Sequence, residues 1–201
     1  MVNNKRITSE EVDAAIEKMR YPRPSISSAE AAKRALELFL EKPEWNHCAP
    51  STTRALQEAF NLPGGALPYW IATGFRGGLC LGEVCGAISG GIIALGLHAY
   101  QTLQPATDYE EKIACQAIMP YIRDIAYLFN RNFGSIHCAK LTGMYELSPA
   151  EIEIEMRTGY IKNNICAPLV EFVVRTMVHW GEISQEPLKR VPIGTPRLEL
   201  D

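Results

Sequence analysis

The sequence has no Cys-x-x-Cys pair: its six cysteines stand apart along the chain. That excludes a zinc ribbon and a thioredoxin-like dithiol, which both need two thiols on one short turn. No segment alternates apolar and polar residues for more than a few positions, so no strand is expected. No basic stripe is present, because Lys and Arg are dispersed among acids, and nucleic acid is excluded as a partner. The N-terminus, Met-Val-Asn-Asn-Lys-Arg, lacks the apolar stretch of a secretory leader, so a cytoplasmic location with reduced thiols is expected. The longest uncharged stretch, Val84 to about Thr107, stops being continuously apolar near Leu97. It is short of the ~20 residues of a membrane span and reads as a buried core helix.

What is present is a chain of 201 residues, 47% hydrophobic and with a formal charge of −3, which is enough to bury one core. Apolar residues at Val12, Ala15, Ile16 and Met19 predict a first helix after Ser9, stopped by Tyr21-Pro22-Arg23-Pro24. A second is predicted from Ser28 to before Pro43. Asn46 is the expected cap of a third, with Cys48 in its first turn and Leu62-Pro63-Gly64-Gly65 after it. A short helix or turn from Ala66 to Thr73 leads to a glycine run, Gly74 to Gly91, and a core helix from about Glu83 to Ala99. A long helix from Asp108 to about Asn132 contains Pro120. A turn of helix at His137–Leu141, a capping box at Ser148-Pro149-Ala150-Glu151 and a last helix over Ile165–Trp180 complete the pattern.

The expected fold is an all-α single-domain helical bundle in which a glycine-rich loop leads into a buried core helix. It divides into an N-terminal helical arm (1–43), a four-cysteine domain (44–184) and an extended Pro-rich tail (185–201). The arm is read as a packing or homodimerisation element. Gly82, Gly86 and Gly90 recur every four residues, and on a helix they would form a smooth face for close packing.

Any one of these cysteines alone reads as a small buried hydrophobe. Four of them sit at chemically sensible places. Cys48 and Cys166 open helices, where free amides and the dipole favour a thiolate. Cys85 lies among glycines, and Cys138 follows the turn at Gly134-Ser135. Four dispersed thiolates suit an iron–sulfur cluster closed in by helices. Arg76 is the candidate cation beside them, and His47 and His137 each precede a candidate ligand. The glycine run lacks the Gly-Lys-Ser/Thr ending of a phosphate loop.

Val84-Cys85-Gly86-Ala87-Ile88-Ser89-Gly90 stands between Asn46-His47-Cys48-Ala49 upstream and Gly134-Ser135-Ile136-His137-Cys138 downstream. Leu141-Thr142-Gly143 and then Cys166 follow. In this order the chain resembles the redox-active proteins named for one Cys, a Gly-Cys-Ala-x-x-Gly motif and two later cysteines, over roughly residues 44 to 180. It departs from the pattern where Val84 replaces Gly and where Gly86 separates Cys from Ala. The resemblance implies redox activity at Cys48, Cys85, Cys138 and Cys166, with Gly86 and Arg76 beside the cofactor. A similar module in split-Soret cytochromes is associated with iron–sulfur binding, which implies a 2Fe–2S cluster and an unknown redox partner. The Cys-x-x-Cys-His of haem attachment is missing here. Cys80 and Cys115 fall outside the pattern: Cys80 is a fifth thiol near the site, and Cys115 is expected in the core. The alternatives are a bare dithiol, a structural zinc ion on the same four thiolates, and a non-catalytic oligomerisation module.

Overall fold

Capping signals in the sequence fix where several helices begin. The computed structural model describes residues 6–19, 23–41, 47–62 and 69–183. Helix α1 (Ser9–Lys18) starts at a capping box in which the Thr8 hydroxyl accepts from the Glu11 N–H and the Glu11 carboxylate accepts from the Thr8 N–H. The same device opens α5 (Asp108–Phe133) at Thr107 and Glu110, and α7 (Pro149–Thr158) at Ser148 and Glu151. Helix α2 spans Ser28–Glu41 and α3 spans Cys48–Phe60. The cap of α3 is His47, which makes no side-chain capping bond, while the expected cap Asn46 lies outside the described residues. The expected Pro-rich tail also lies outside them.

The chain is all-α: the described residues contain no sheet, only one isolated antiparallel bridge between Val84 and His137. Helix α4 (Gly86–Leu103) lies at the centre, against α3, α5 and α8 (Ala167–Ile183). Leu56, Ile88, Ile125, Phe129, Val170, Val173, Val174 and Val178 fill the space between them with almost no exposed surface. The two N-terminal helices bury their apolar faces in this same core, α1 through Val12, Ile16 and Met19 against α5, and α2 through Ala31, Ala35, Leu38 and Phe39 against α8 and α3. No helix among the described residues is long and apolar enough to cross a membrane.

Several boundaries differ from the sequence expectation for physical reasons. The core helix begins at Gly86, not Glu83, because the backbone at Glu83 is taken by the bridge: its carbonyl accepts from the Cys138 N–H at 2.7 Å. Gly82 is therefore not on the α4 face. It lies in the preceding turn, with φ +77°. The short segment before it is a 3₁₀ helix at Tyr69–Phe75. The last helix starts at Ala167, after a wide π turn at Lys162–Cys166 whose backbone runs into it without a break.

The glycine run contains the most unusual backbone of the molecule. Gly77, Gly78, Leu79 and Cys80 have φ of +56°, +60°, +60° and +58°, one turn of left-handed helix. For Leu79 and Cys80, which carry a Cβ, each such residue costs about 1–2 kcal/mol. The turn is held by the Cys80 N–H on the Arg76 carbonyl (2.9 Å), the Gly82 N–H on the Gly77 carbonyl (3.1 Å) and the Tyr145 hydroxyl on the Gly77 carbonyl (2.6 Å).

Candidate functional site

Cys85 and Cys138 are brought side by side by the isolated bridge. The Cys85 N–H donates to the Ile136 carbonyl (2.8 Å) and the Cys138 N–H to that of Glu83 (2.7 Å), so each cysteine follows a bridged residue. Cys85 then caps α4, and Cys138 opens α6 (Cys138–Thr142). Cys48 reaches the same place because α3 and α4 touch backbone to backbone. A Cβ at Gly86 would run into the Cys48 sulfur and come within 2.9 Å of the Phe75 carbonyl oxygen. One turn on, the Thr53 hydroxyl clamps the pair by donating to the carbonyls of Ala49 (2.9 Å) and Gly90 (3.0 Å).

A pocket of about 370 Å³ lies over these thiols, and Cys48, Cys80, Cys138 and Cys166 are on its wall. Cys85 is buried behind them, close enough that charge on Cys48, Cys138 or Cys166 would raise its own pKa. Phe39, Met144, Tyr145 and Ile161 also line the pocket, and Arg76, Lys162, His47 and Glu155 are its polar residues. Arg76 Nη1 lies 2.9 Å from His47 Nε2. The Lys162 ammonium sits over the Phe39 ring, 5.4 Å from its centre. Glu155 is turned to the backbone, accepting from the N–H groups of Ile161 (2.9 Å) and Lys162 (3.3 Å).

Stabilised thiolates were expected at the helix starts, and the structure corrects this. Burial pushes the Cys48 thiol up, although the N–H groups of Gly77, Ala49, Gly86 and Cys48 itself act on its sulfur in the opposite sense. Burial likewise raises Cys85, Cys138 and Cys166, with neighbouring cysteines adding to it, and Cys166 is pushed up to about 12. Cys166 gains no free helix terminus, because the π turn continues into α8. His47 is held below its ordinary value by burial and by the charges of Arg76 and Lys162.

A family model described as "Putative redox-active protein (C_GCAxxG_C_C)" matches residues 46–180, well over half of the chain. The chain belongs to this redox-active family. The match spans all four motif cysteines, the glycine run and the pocket wall except Phe39. No curated protein and no solved structure matches the chain.

Other residues singled out in the sequence are placed differently. Cys115 is exposed on α5, not in the core, because the apolar stripe of that helix runs through Ala117, Tyr121, Ile125, Leu128 and Phe129. His137 points outward, its Nδ1 3.6 Å from the Glu83 carboxylate. Glu83 stands ahead of α4, not in its first turn. His98 is buried, with Nε2 3.3 Å from the Met19 carbonyl, and His179 pairs with Glu182 at 3.2 Å. Sequence reasoning missed Phe39, Tyr145, Glu155 and Lys162. Of these, Lys162 had a signal, since it stands four residues before Cys166 on a helical segment and so shares its face.

Among the described residues, no group of three or more His, Cys, Asp or Glu side chains is arranged to hold a metal ion. The donor set, cysteine thiols on and just behind the wall of one mainly apolar pocket, is the ligand type of an iron–sulfur cluster.

Proposed function

We propose that the protein is a redox protein that transfers electrons at Cys48, Cys85, Cys138 and Cys166, holding an iron–sulfur cluster of the 2Fe–2S type. The observation that carries the reading is the pocket whose wall holds Cys48, Cys138 and Cys166, with Cys85 buried behind them. The thiolate is the form that ligates iron, so binding the cluster would release the protons that burial holds on these thiols. Bound there, the cluster would supply one-electron chemistry at a potential set by its hydrogen bonds and exposure.

The chain's own part can be derived from its residues. Phe39, Met144, Tyr145 and Ile161 give the pocket an apolar lining beside the sulfurs. Arg76 and Lys162 bring positive charge that offsets thiolates. Gly86, by having no side chain, lets the Cys48 sulfur lie against α4. A second reading, thiol–disulfide chemistry without metal, rests on the same pocket, whose wall carries Cys48, Cys80, Cys138 and Cys166. A cytoplasmic location and an unidentified redox partner accord with either reading.

Anaerobic reconstitution of the full chain with ferrous iron and sulfide, followed by metal analysis and a visible spectrum, tests the proposal. Visible absorption that Cys48→Ser and Cys166→Ser abolish is expected. A colourless protein that binds no iron, while its thiols titrate as an oxidisable pair, would replace the cluster by the dithiol reading.

A further inference from the structure

The left-handed turn, Gly77 to Gly82, is a strap along one side of the pocket, where Gly77 and Cys80 form part of the wall. Leu79, Cys80 and Leu81 are exposed, the two leucines by 52% and 73%, so core packing does little to hold them. The bonds that shape the strap are its own: the N–H groups of Cys80, Gly82 and Glu83 donate to the carbonyls of Arg76 (2.9 Å), Gly77 (3.1 Å) and Gly78 (3.1 Å). Its ties to other segments are the Tyr145 hydroxyl, which donates to the Gly77 carbonyl at 2.6 Å, and the Gly77 N–H on the Cys48 sulfur.

The strap is also strained. Leu79 and Cys80 are held at φ of +60° and +58°, while Gly77 and Gly78 before them and Gly82 after them can leave positive φ without penalty and so act as hinges. Its far end rests on the inner thiols. A Cβ at Gly82 would meet Ala139 at 2.6 Å and the Tyr145 ring at 3.1 Å, and the residue before Ala139 is Cys138, only 5% exposed. A segment with a strained backbone, few buried side chains and glycines at both ends belongs to the part of a fold that opens most easily.

We propose that Gly77 to Gly82 is a gate over the inner thiols, latched by the Tyr145 hydroxyl, and that its opening admits a reactant to Cys138 and Cys48. Opening breaks the bond from Tyr145 to Gly77 and frees Leu79 and Cys80 from positive φ, so relief of strain offsets part of the lost hydrogen bonding. Closing restores both. The gate regulates the site of the redox reading and rests on that reading for its role, but its motion requires neither a cluster nor a disulfide.

The test uses the metal-free full chain with Cys80→Ser, so that no adduct forms on the gate itself. Iodoacetamide labelling of Cys138 is counted by peptide mass spectrometry against the exposed Cys115, hydrogen exchange is followed at the strap amides, and Cys166, on the π turn before α8, reports general loosening. Tyr145→Phe keeps the ring and removes the latch. It should speed Cys138 labelling and strap exchange by about two- to tenfold, the loss of one hydrogen bond. The two exposed leucines separate a gate from a fixed wall. Leu79→Gly relieves positive φ and should slow both readouts by about two- to fivefold, whereas Leu81→Gly, where φ is not positive, loosens the strap and should speed them by a similar factor. Cys138 labelling that Tyr145→Phe leaves unchanged, that rises in step with Cys166, or that the two glycine variants do not shift in opposite directions overturns the proposal. Failure of the cluster reading would appear separately, in the spectrum of the reconstituted protein.

Discussion

Replacing Gly86 by Ala adds one carbon where α3 and α4 are closest. That carbon would press on the Cys48 sulfur, stand 2.9 Å from the Phe75 carbonyl oxygen and 3.3 Å from the Ala49 nitrogen. Ordinary contact begins near 3.5 Å, so the Phe75 carbonyl must retreat by about 0.6 Å and the sulfur by more. The helices cannot simply part, because Thr53 clamps them at Gly90. Overpacking of this kind costs about 1–3 kcal/mol. The gain of a helix-favouring Ala offsets about 0.5–1 kcal/mol of it. That leaves a net cost of up to about 2.5 kcal/mol, and at about 2–4 °C per kcal/mol for a domain of this size the melting temperature should fall by up to about 10 °C. Gly96 is the control, since it is on the same helix with nothing within 4 Å of its position. Gly96→Ala should raise the melting temperature by about 1–4 °C. Circular dichroism melts and the alkylation rate of Cys48 are read on the same preparations. A Gly86→Ala protein that melts at or above the parent, with Cys48 equally reactive, would refute the close-contact argument.

In the metal-free chain, iodoacetamide at neutral pH should reach the exposed Cys80 and Cys115 well before the four motif thiols, which burial keeps protonated; equal rates at all six by mass spectrometry would contradict that. The same shifts set an alkaline limit. A thiol whose folded pKa is raised contributes stability that is fully present below the unfolded value of about 8.5 and is lost as pH climbs through the folded value. The melting temperature of the metal-free chain should therefore decline from pH 8.5 towards about 12, the value of Cys166, and Cys166→Ser should flatten the decline where Cys115→Ser does not. Because α1 and α2 bury their apolar residues in the common core, a chain starting near residue 42 should melt lower and expose the pocket at Phe39; sedimentation showing a dimer that becomes a stable, equally folded monomer would favour the homodimer role instead.

The helices were legible because their signals are local. Thr107 with Glu110 and Ser148 with Glu151 announce α5 and α7 whatever surrounds them. The four motif cysteines were legible through their flanking residues and order. What was hidden depends on contacts between distant segments. Nothing in Glu83 or Ile136 foretells the bridge that delays the start of α4, since a two-bond clasp has no periodicity to read. The left-handed turn hides equally well, because Leu79 and Cys80 have no preference for positive φ and are carried into it by Gly77, Gly78 and Tyr145. Thiolate stabilisation at Cys48 was expected from its helix position alone, and burial outweighs it.

The clasp between Val84 and His137 also dictates when the pocket can come into being. Its two halves lie on opposite sides of the long helix α5, and Cys166 arrives later still. A ribosome-bound chain that has produced Cys48 and Cys85 holds two thiols with no common wall. The pocket closes only after α5 has folded back and α8 has docked, and such long-range closure is slow compared with forming helices. Whatever needs the whole pocket wall therefore finds it only once Cys166 and α8 are in place.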